Sequence, residues 1–301
     1  MSFFENFNDG IRSVPVAEHV TLDKFTTLRV GGPADYFAEP ESEAQLLSLL
    51  RAARDREIPV LLLGNGSNVL VRDGGFRGLV IRLGKGFSQV ECKGNQIYAQ
   101  AGALLSAVAR AAQEHHLTGL EFAHGIPGTV GGGAYMNAGA YGGELANVIS
   151  SLRVLKGDAV TEIPVTEMDY GYRRSRAMEE GWIITGVTFS LLSGSDGDID
   201  AAMRDFASRR REKQPLEYPS AGSFFKRPKG HFAGALIEGA GLKGLTVGGA
   251  QVSEKHAGFL INRGGASAAD FLGLMAAVQQ KVADQYGVKL EPEVRIVGSD
   301  R

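Results

Sequence analysis

Two glycine-rich segments of this 301-residue chain carry residue types that suit phosphate binding. The first is the turn at residues 64–68, Gly-Asn-Gly-Ser-Asn, which follows an apolar run at residues 59–63. Its glycines let successive backbone N–H groups point into one concavity, and Ser67 and Asn68 add side-chain donors, which suits a pyrophosphate. The G-x-G-x-x-G dinucleotide fingerprint is absent, because Val69 occupies the third glycine position and a β-like run follows. Taken alone, the segment is also explained by a polar turn between two strands.

The second segment, residues 125–144, reads GIPGTVGGGAYMNAGAYGGE. Ordering so much glycine costs considerable chain entropy, and a compact domain rarely contains such a loop without a function. Pro127 stiffens the segment, while Thr129 and Asn137 offer hydrogen bonds. Two such loops favour a long, phosphate-bearing ligand over two coincidental turns.

Three further segments contain groups that can act on a substrate. Arg173 lies in the basic, aromatic stretch at residues 170–176, where an arginine can hold a carboxylate through its planar fork or belong to a solvated basic strand. Ser223 follows a glycine and precedes two phenylalanines, so it can donate a proton in a dry pocket or be an ordinary strand-edge serine. It has no Gly-x-Ser-x-Gly elbow, and serine-hydrolase chemistry is therefore unsupported.

Residues 290–295, Leu-Glu-Pro-Glu-Val-Arg, alternate apolar and charged side chains. This spacing predicts that Glu291, Glu293 and Arg295 share one face of a strand. The carboxylates can act as acids there or pair with the arginine.

Composition narrows the possible functions. With 32 basic and 34 acidic residues the formal charge is −2, which gives no electrostatic reason to expect nucleic acid or an anionic membrane as a partner. Cys92 is the only cysteine, as fits a reducing compartment. The N-terminal residues lack the basic and apolar regions of a signal peptide, and the apolar runs are too short to span a membrane. The six histidines show no metal-ligand spacing, so we expect no metal and a cytoplasmic protein.

Hydrophobic periodicity positions these segments on an α+β framework. We predict helices over residues 42–56, 104–115, 199–213 and 268–286, with Phe271, Met275, Val278 and Val282 on the buried face of the last. Short strands are expected at 59–63, 69–71, 79–83, 90–92, 97–100, 151–155, 159–163, 182–191 and 288–297, the last of them interrupted by Pro292. The polar stretch at residues 193–198 is the candidate domain boundary.

The order of these motifs resembles the UDP-N-acetylenolpyruvoylglucosamine reductase family. The resemblance runs from TLRVGGPA at residue 27 through GNGSNVL, GIPGTVGG, NAGAYG, YRRS and GSFFKRP to EPEVR ending at residue 295. Each motif is weak alone, but together they are specific. The length resembles the compact subtype, which lacks an inserted substrate-covering loop.

The resemblance implies a fold and a domain organisation. We expect an FAD-binding lobe of the vanillyl-alcohol-oxidase type, made of two α+β subdomains at residues 1–75 and 76–195. A smaller α+β substrate-binding domain would follow at residues 196–301.

The family also implies a ping-pong reaction with non-covalent FAD. NADPH reduces the flavin and leaves, and a UDP-N-acetylglucosamine enolpyruvate then takes the same cleft to be reduced to UDP-N-acetylmuramate for peptidoglycan synthesis. The family implies a monomer. Ser223 would be the proton donor, and Arg173 and Glu293 would stabilise the enol intermediate.

Motif positions supply the expected binding residues. Those for FAD are Gly64, Asn65, Gly66, Ser67, Asn68, Gly125, Ile126, Pro127, Gly128, Thr129, Gly132, Asn137, Gly139 and Arg210. Those for the UDP-sugar are Tyr141, Lys213 and Lys226. Arg227 stands where many relatives have asparagine, so that contact is not carried over as a hydrogen-bonding amide.

Two alternatives remain open. One is another flavin oxidoreductase of the same fold, in which His124 is the candidate for tethering the flavin. The other is a non-catalytic FAD- or nucleotide-binding protein, which would need the loops but not Ser223, Arg173 and Glu293 together.

Overall fold

The structure, a computed structural model, describes residues 14–300. Residues 1–13, on which the prediction about a signal peptide rests, lie outside the described residues. The chain divides into two compact units. The first unit holds the described residues up to Ala17 together with Phe37–Asn65 and Leu79–Arg209, and the second holds Glu18–Tyr36, Gly66–Gly78 and the chain from Arg210 onward. The three-part division at residues 75 and 195 stays a prediction.

The described residues contain both helices and strands, and several strands follow one another without a helix between them. The helices are α1 (Glu43–Asp55), α2 (Leu105–Glu114), α3 (Val130–Met136), α4 (Arg176–Glu180), α5 (Asp196–Lys213), α6 (Ala233–Gly239) and α7 (Ala268–Tyr286). The strands are β1 (Val16–Thr21), β2 (Pro33–Ala38), β3 (Val60–Leu63), β4 (Val69–Val71), β5 (Phe76–Arg82), β6 (Val90–Lys93), β7 (Gln96–Gln100), β8 (Leu117–Thr118), β9 (Gly139–Ala140), β10 (Gly143–Glu144), β11 (Ile149–Lys156), β12 (Ala159–Pro164), β13 (Ile183–Ser190), β14 (Leu192–Ser193), β15 (Ser220–Ser223), β16 (Thr246–Val247), β17 (Ala250–Val252), β18 (Phe259–Asn262) and β19 (Arg295–Val297).

The first unit is built around an antiparallel sheet in the order β12-β11-β13-β7-β6. The strands predicted at residues 151–155 and 159–163 are confirmed and form a hairpin: Lys156 pairs with Ala159, and Gly157 turns the chain with a φ of 57°, which glycine adopts at little cost. Helices α2 and α3 pack against this sheet and bury an apolar core that includes Val108, Val130 and Phe189. This packing fixes the position of α3, which carries much of the second glycine-rich segment.

The second unit is built around the antiparallel sheet β15-β18-β17-β16, against which α7 packs. The rings of Phe224 and Phe271 stack in its core with centroids 6.3 Å apart. Strand β4 pairs in parallel with β19 in the same unit. These contacts position Ser223, the last residue of β15, and Glu293, which lies two residues before β19 begins.

Helix α7 is confirmed at its predicted bounds. Ser267 and Asp270 form a capping box at its N-terminus, and Gly287 ends it in a left-handed conformation. Of the predicted buried face, Phe271, Val278 and Val282 are buried and Met275 is half-buried. The Asp73 carboxylate also accepts hydrogen bonds from the backbone N–H groups of residues 268 and 269.

Three local predictions were wrong in detail. The strand predicted at residues 288–297 is reduced to β19, because Pro292 interrupts the ladder. Glu291 and Glu293 therefore do not share a regular strand face with Arg295. Helix α5 begins at Asp196, inside the stretch taken as a polar break, because acidic residues favour a helix N-terminus.

Helix α1 begins after Ser42, whose side chain caps it. The Gln45 N–H donates to the Ser42 hydroxyl, but the Gln45 side chain accepts from the N–H of Glu41. The helix itself is confirmed.

Candidate active site

In the first unit the two glycine-rich segments contact each other. The Asn65 side-chain amide donates to the carbonyl of Pro127 at 2.7 Å. A Cβ on Gly64 would lie 2.3 Å from the Thr129 hydroxyl oxygen, so only glycine fits there. The predicted cofactor residues Gly64 and Asn65 therefore lie against Thr129 and Pro127 of the second segment.

Thr129 also begins helix α3. Its hydroxyl accepts a hydrogen bond from the Gly132 N–H at 3.4 Å and so caps the helix. Gly132, in the first turn, is exposed. A Cβ on Gly131 would lie 2.7 Å from the Ala101 side chain, and one on Gly133 would lie 2.9 Å from Leu105. Part of the glycine excess here thus serves helix packing rather than ligand contact.

The remaining residues of the first turn, Gly66–Asn68, belong to the second unit. Gly66 has a φ of 61°, and a Cβ there would lie 2.0 Å from the Phe25 carbonyl oxygen. The Asn68 side chain donates to the carbonyl of Glu293 at 3.1 Å. Ser67 is half-buried.

Arg173 lies in a tight turn of the first unit rather than in the alternative basic strand. Gly171 and Arg174 exchange two backbone hydrogen bonds, and Arg173 takes a left-handed φ of 54°. Its guanidinium donates to the carbonyl of Asn137 at 3.3 Å. The structure thus brings Asn137 and Arg173, predicted separately for the flavin and for catalysis, into contact.

Gly139 and Tyr141 lie in the short hairpin of β9 and β10. A Cβ on Gly139 would lie 2.6 Å from the Gly143 carbonyl oxygen, which explains the glycine by packing. The Tyr141 ring stacks on Phe206 with centroids 4.8 Å apart and is 37% exposed. It presents an aromatic edge and a phenol at the surface of the first unit.

Ser223 is an exposed residue at an irregularity in β15. Gly222 before it has a φ of 73°, and the register of β15 on β18 shifts between Ser220 and Ser223. Ser223 pairs with Phe259, and the next N–H, from Phe224, donates to the carbonyl of Gly258. The bulge therefore fixes the direction in which Ser223 leaves the sheet.

Glu293 lies beside Ser223 along the backbone of the second unit. Its N–H donates to the carbonyl of Phe224 at 2.9 Å, and Phe225 and Pro292 form an isolated bridge. Glu293 is half-buried, whereas Glu291 is exposed and lies 3.5 Å from the Lys226 ammonium. The two carboxylates, which the sequence left as equal candidates, therefore differ in burial and in their neighbours.

The basic candidates of the second unit lie at two places. Arg210 and Lys213 are in the last turn of α5, with Arg210 half-buried and Lys213 exposed. The Arg227 guanidinium lies over the ring of Phe232, 4.0 Å from its centroid.

Two titratable groups near these residues carry shifted pKa values. Burial lowers the pKa of His256, whose Nδ1 accepts from the Gly258 N–H and whose ring contacts Phe259, the pairing partner of Ser223. Burial raises the pKa of Tyr170 far above its ordinary range. The sequence pointed to neither group: His256 stands in no motif with recognisable spacing, and in the stretch at residues 170–176, which Tyr170 begins, the candidate was Arg173.

In residues 14–300 no group of three or more His, Cys, Asp and Glu side chains is placed to hold a metal ion. Over the same range no helix combines the length and apolar character needed to cross a membrane.

Comparison with known proteins covers nearly the whole chain. Residues 34–162 match the profile of an FAD binding domain, and residues 214–297 match that of the UDP-N-acetylenolpyruvoylglucosamine reductase C-terminal domain. The UDP-N-acetylenolpyruvoylglucosamine reductase of Clostridium perfringens is 47% identical over 99% of this chain and 96% of its own length. The one from Clostridium beijerinckii is 50% identical over 90% of each chain.

This chain belongs to the UDP-N-acetylenolpyruvoylglucosamine reductase family. A solved structure of that reductase from Thermus caldophilus superimposes with a TM-score of 0.81 at 36% identity, over 95% of this chain and 99% of the other. The α+β class with an FAD-binding lobe is confirmed by these matches.

The two matching profiles divide the candidate residues unevenly. The FAD-domain match contains both glycine-rich segments, Asn137 and Tyr141, and the C-terminal match contains Ser223, Lys226 and Glu293. Arg173, Arg210 and Lys213 fall between the two matches. The expected roles of these three residues are therefore supported by their local structure and not by a profile match.

Proposed function

We propose that this chain catalyses the FAD-dependent, NADPH-driven reduction of UDP-N-acetylglucosamine enolpyruvate to UDP-N-acetylmuramate, a step of peptidoglycan precursor synthesis. The observation that carries the proposal is the 47% identity, over 99% of this chain, to a UDP-N-acetylenolpyruvoylglucosamine reductase. The matching FAD-domain profile supports the cofactor. A cytoplasmic monomer that acts on this soluble UDP-sugar is part of the same proposal.

The two glycine-rich loops of the first unit suit a dinucleotide. Gly64 has no room for a Cβ against Thr129, and Asn65 is tied to Pro127, so these two contacts fix the loops against each other. Such fixed backbone donors suit a pyrophosphate. The proposed FAD-binding residues are the predicted set at positions 64–68, 125–129, 132, 137, 139 and 210.

When bound, FAD would supply the transfer of a hydride from NADPH to C3 of the enolpyruvyl group. Ser223 then donates a proton to C2 to complete the reduction of the double bond. Arg173 supplies positive charge to the enol intermediate, and Glu293 stabilises it from the chain segment beside Ser223. The backbone bond between Glu293 and Phe224 supports this pairing of roles.

Tyr141, Lys213 and Lys226 are proposed to face the UDP-sugar. The exposed ammonium of Lys213 and the exposed ring of Tyr141 leave these groups accessible to a ligand. Lys226 is half-buried beside Glu291. Arg227 packs over Phe232, which is consistent with the absence of an amide contact at this position.

The decisive experiment measures NADPH oxidation by the purified protein with and without UDP-N-acetylglucosamine enolpyruvate. We expect a yellow protein whose steady NADPH oxidation depends on the sugar nucleotide, with UDP-N-acetylmuramate as product. Colourless protein that binds no added FAD, or NADPH oxidation indifferent to the sugar nucleotide, would contradict the proposal. Acid precipitation should release the flavin into solution, whereas retention on the protein would favour a covalently flavinylated oxidase.

A further inference from the structure

Asn137 ends helix α3 in an unusual environment. It is 1% exposed and has a left-handed φ of 46°, which asparagine tolerates better than most residues. Its backbone N–H donates to the carbonyls of Gly133 and Ala134 and so closes the helix. A buried polar side chain at this position must find partners within the protein.

Both ends of the Asn137 amide have such partners in the first unit. The side-chain oxygen accepts from the Ala146 N–H at 3.0 Å, and the side-chain nitrogen donates to the Gly171 carbonyl at 3.3 Å. The Gly171 carbonyl is also the acceptor that closes the turn containing Arg173. The amide of Asn137 is therefore engaged with the protein itself.

The Arg173 turn is joined to the end of α3 by three hydrogen bonds. Asn137 donates to Gly171, the Arg173 guanidinium donates back to the Asn137 carbonyl, and the Ser175 hydroxyl donates to the Tyr135 carbonyl at 2.7 Å. An arginine side chain carries considerable rotamer entropy, and a left-handed backbone adds strain to the turn. Contacts outside the turn are needed to hold one conformation.

We propose that Asn137 is a positioning residue that holds Arg173 for the reaction, and this inference rests on the proposed function. Its amide fixes Gly171 and its carbonyl receives the guanidinium. Both contacts concern the orientation of Arg173 and neither requires a contact between the Asn137 amide and the flavin. Loss of the amide lets the turn shift, and the positive charge then no longer meets the developing enolate in the best geometry.

Two variants separate this role from general stability. Asn137→Asp keeps an acceptor for the Ala146 N–H and loses the donor to Gly171. Asn137→Gly keeps the left-handed backbone and the carbonyl that receives Arg173, and serves if the carboxylate prevents folding. Asn95→Ala is the control for losing a side-chain to main-chain hydrogen bond alone, because the exposed Asn95 also donates to a backbone carbonyl, that of Leu191, at 3.3 Å in the same unit.

The experiment is a double-mutant cycle between Asn137→Asp and Arg173→Ala. Stopped-flow absorbance gives the rate of flavin reduction by NADPH and the rate of flavin reoxidation by UDP-N-acetylglucosamine enolpyruvate. Calorimetry gives sugar-nucleotide affinity, and thermal unfolding of the FAD-free proteins gives stability. We expect Asn137→Asp to lower the ratio of reoxidation to reduction by up to ~10²-fold. In the Arg173→Ala background the same change should alter that ratio by no more than about twofold, since the two residues act as a unit.

Each other outcome overturns the inference. Equal losses in both backgrounds would mean that Asn137 acts independently of Arg173, through stability or the flavin. A loss matched by Asn95→Ala would assign the effect to general destabilisation. If the wild-type protein is reduced by NADPH but not reoxidised by the sugar nucleotide, the proposed function itself fails and the inference fails with it.

Discussion

Arg173 in the first unit and the Ser223–Glu293 segments in the second unit are fixed by different kinds of hydrogen bond. The Arg173 turn depends on the side chains of Asn137 and Ser175. Ser223 and Glu293 are fixed mainly by main-chain pairing with Phe259 and Phe224. Side-chain anchors can be removed by one substitution, whereas a main-chain ladder survives most substitutions. The first arrangement should therefore be the more fragile under mutation.

Ser223→Ala should give the largest effect. The main-chain frame does not use the hydroxyl, so the variant should fold normally and lose only the proton donor. We expect reoxidation by the sugar nucleotide to slow by about 10²–10⁴-fold, the usual contribution of a general acid. Stopped-flow measurement of both half-reactions tests this, and equal losses in the two would remove Ser223 from its assigned role.

Gly222→Ala tests whether the bulge in β15 fixes Ser223. Alanine at a φ of 73° costs roughly 1–2 kcal/mol and should partly flatten the bulge. Gly94→Ala is the control, because Gly94 has a φ of 59° in the hairpin between β6 and β7 and a Cβ there also meets no atom within 4 Å. Thermal unfolding should show similar destabilisation of both variants, and only Gly222→Ala should slow reoxidation. If Gly222→Ala and Gly94→Ala show equal reoxidation rates, the main chain of β15 does not fix the orientation of Ser223.

Asn68→Ala compares the two units most directly. Asn68 donates to the Glu293 carbonyl much as Asn137 donates to Gly171, but Glu293 is also held through its N–H by Phe224. We therefore expect a loss worth about 1 kcal/mol in the reoxidation step, the usual contribution of one hydrogen bond. The reoxidation rate should be measured at saturating FAD. If Asn68→Ala lowers this rate more than Asn137→Asp does, the second unit, and not the first, holds the more fragile arrangement.

The same contrast extends to two structural carboxylates. Arg153 and Thr185 donate to Glu43 in the first unit, and the Arg153 guanidinium is the main cause that lowers the Glu43 pKa below 4.5. In the second unit it is the backbone N–H groups of Ser267 and Gly249 that lower the pKa of Asp270 below 3.8. Both shifts stabilise the fold above the ordinary pKa, and the stabilisation is lost as pH falls through the lowered value.

Glu43→Gln should remove one part of this acid sensitivity. Because the Glu43–Arg153 pair is partly exposed, we expect a loss of about 1 kcal/mol in the free energy of unfolding near neutral pH. Chemical denaturation between neutral pH and the acid limit should show a smaller decline for the variant below pH 4.5. Glu57→Gln, at an exposed residue, is the control. Parallel curves for wild type and Glu43→Gln would show that this pair carries no pH dependence.

Cys92→Ser should give the smallest effect. Cys92 is half-buried at the edge strand β6, and burial raises its thiol pKa, which makes it a poor nucleophile. We expect full activity and a slightly lower melting temperature. Loss of activity in a folded variant would reveal a role for this thiol.

The sequence predicted most regular elements because their patterns are local. Helix α7 has a complete apolar stripe with a capping serine and a terminal glycine, and its bounds were confirmed. The last strand was expected at residues 288–297 with an interruption at Pro292, and only the part after the proline, β19, forms in the structure. The beginning of α5 was missed because aspartates mark helix N-termini and polar loops alike.

The site was harder to predict because its contacts join distant residues. A glycine count does not distinguish Gly64, which lies against Thr129, from Gly133, which packs α3 on Leu105. The bond from Asn137 to Gly171 spans 34 residues and depends on where α3 ends. The motif order predicted which residues to consider but not which of them touch.

The pairing of β4 with β19 has a consequence for the folding of the nascent chain. Asn68 and Glu293, at the start of this pairing, are separated by 225 residues. Most of the polypeptide must therefore be synthesised before β4 can pair with β19. Until then the main-chain N–H and C=O groups that β4 uses in this pairing have no partner in β19. Such long-range pairing folds slowly and exposes intermediates to aggregation, so recombinant yield should respond to growth temperature and chaperone supply.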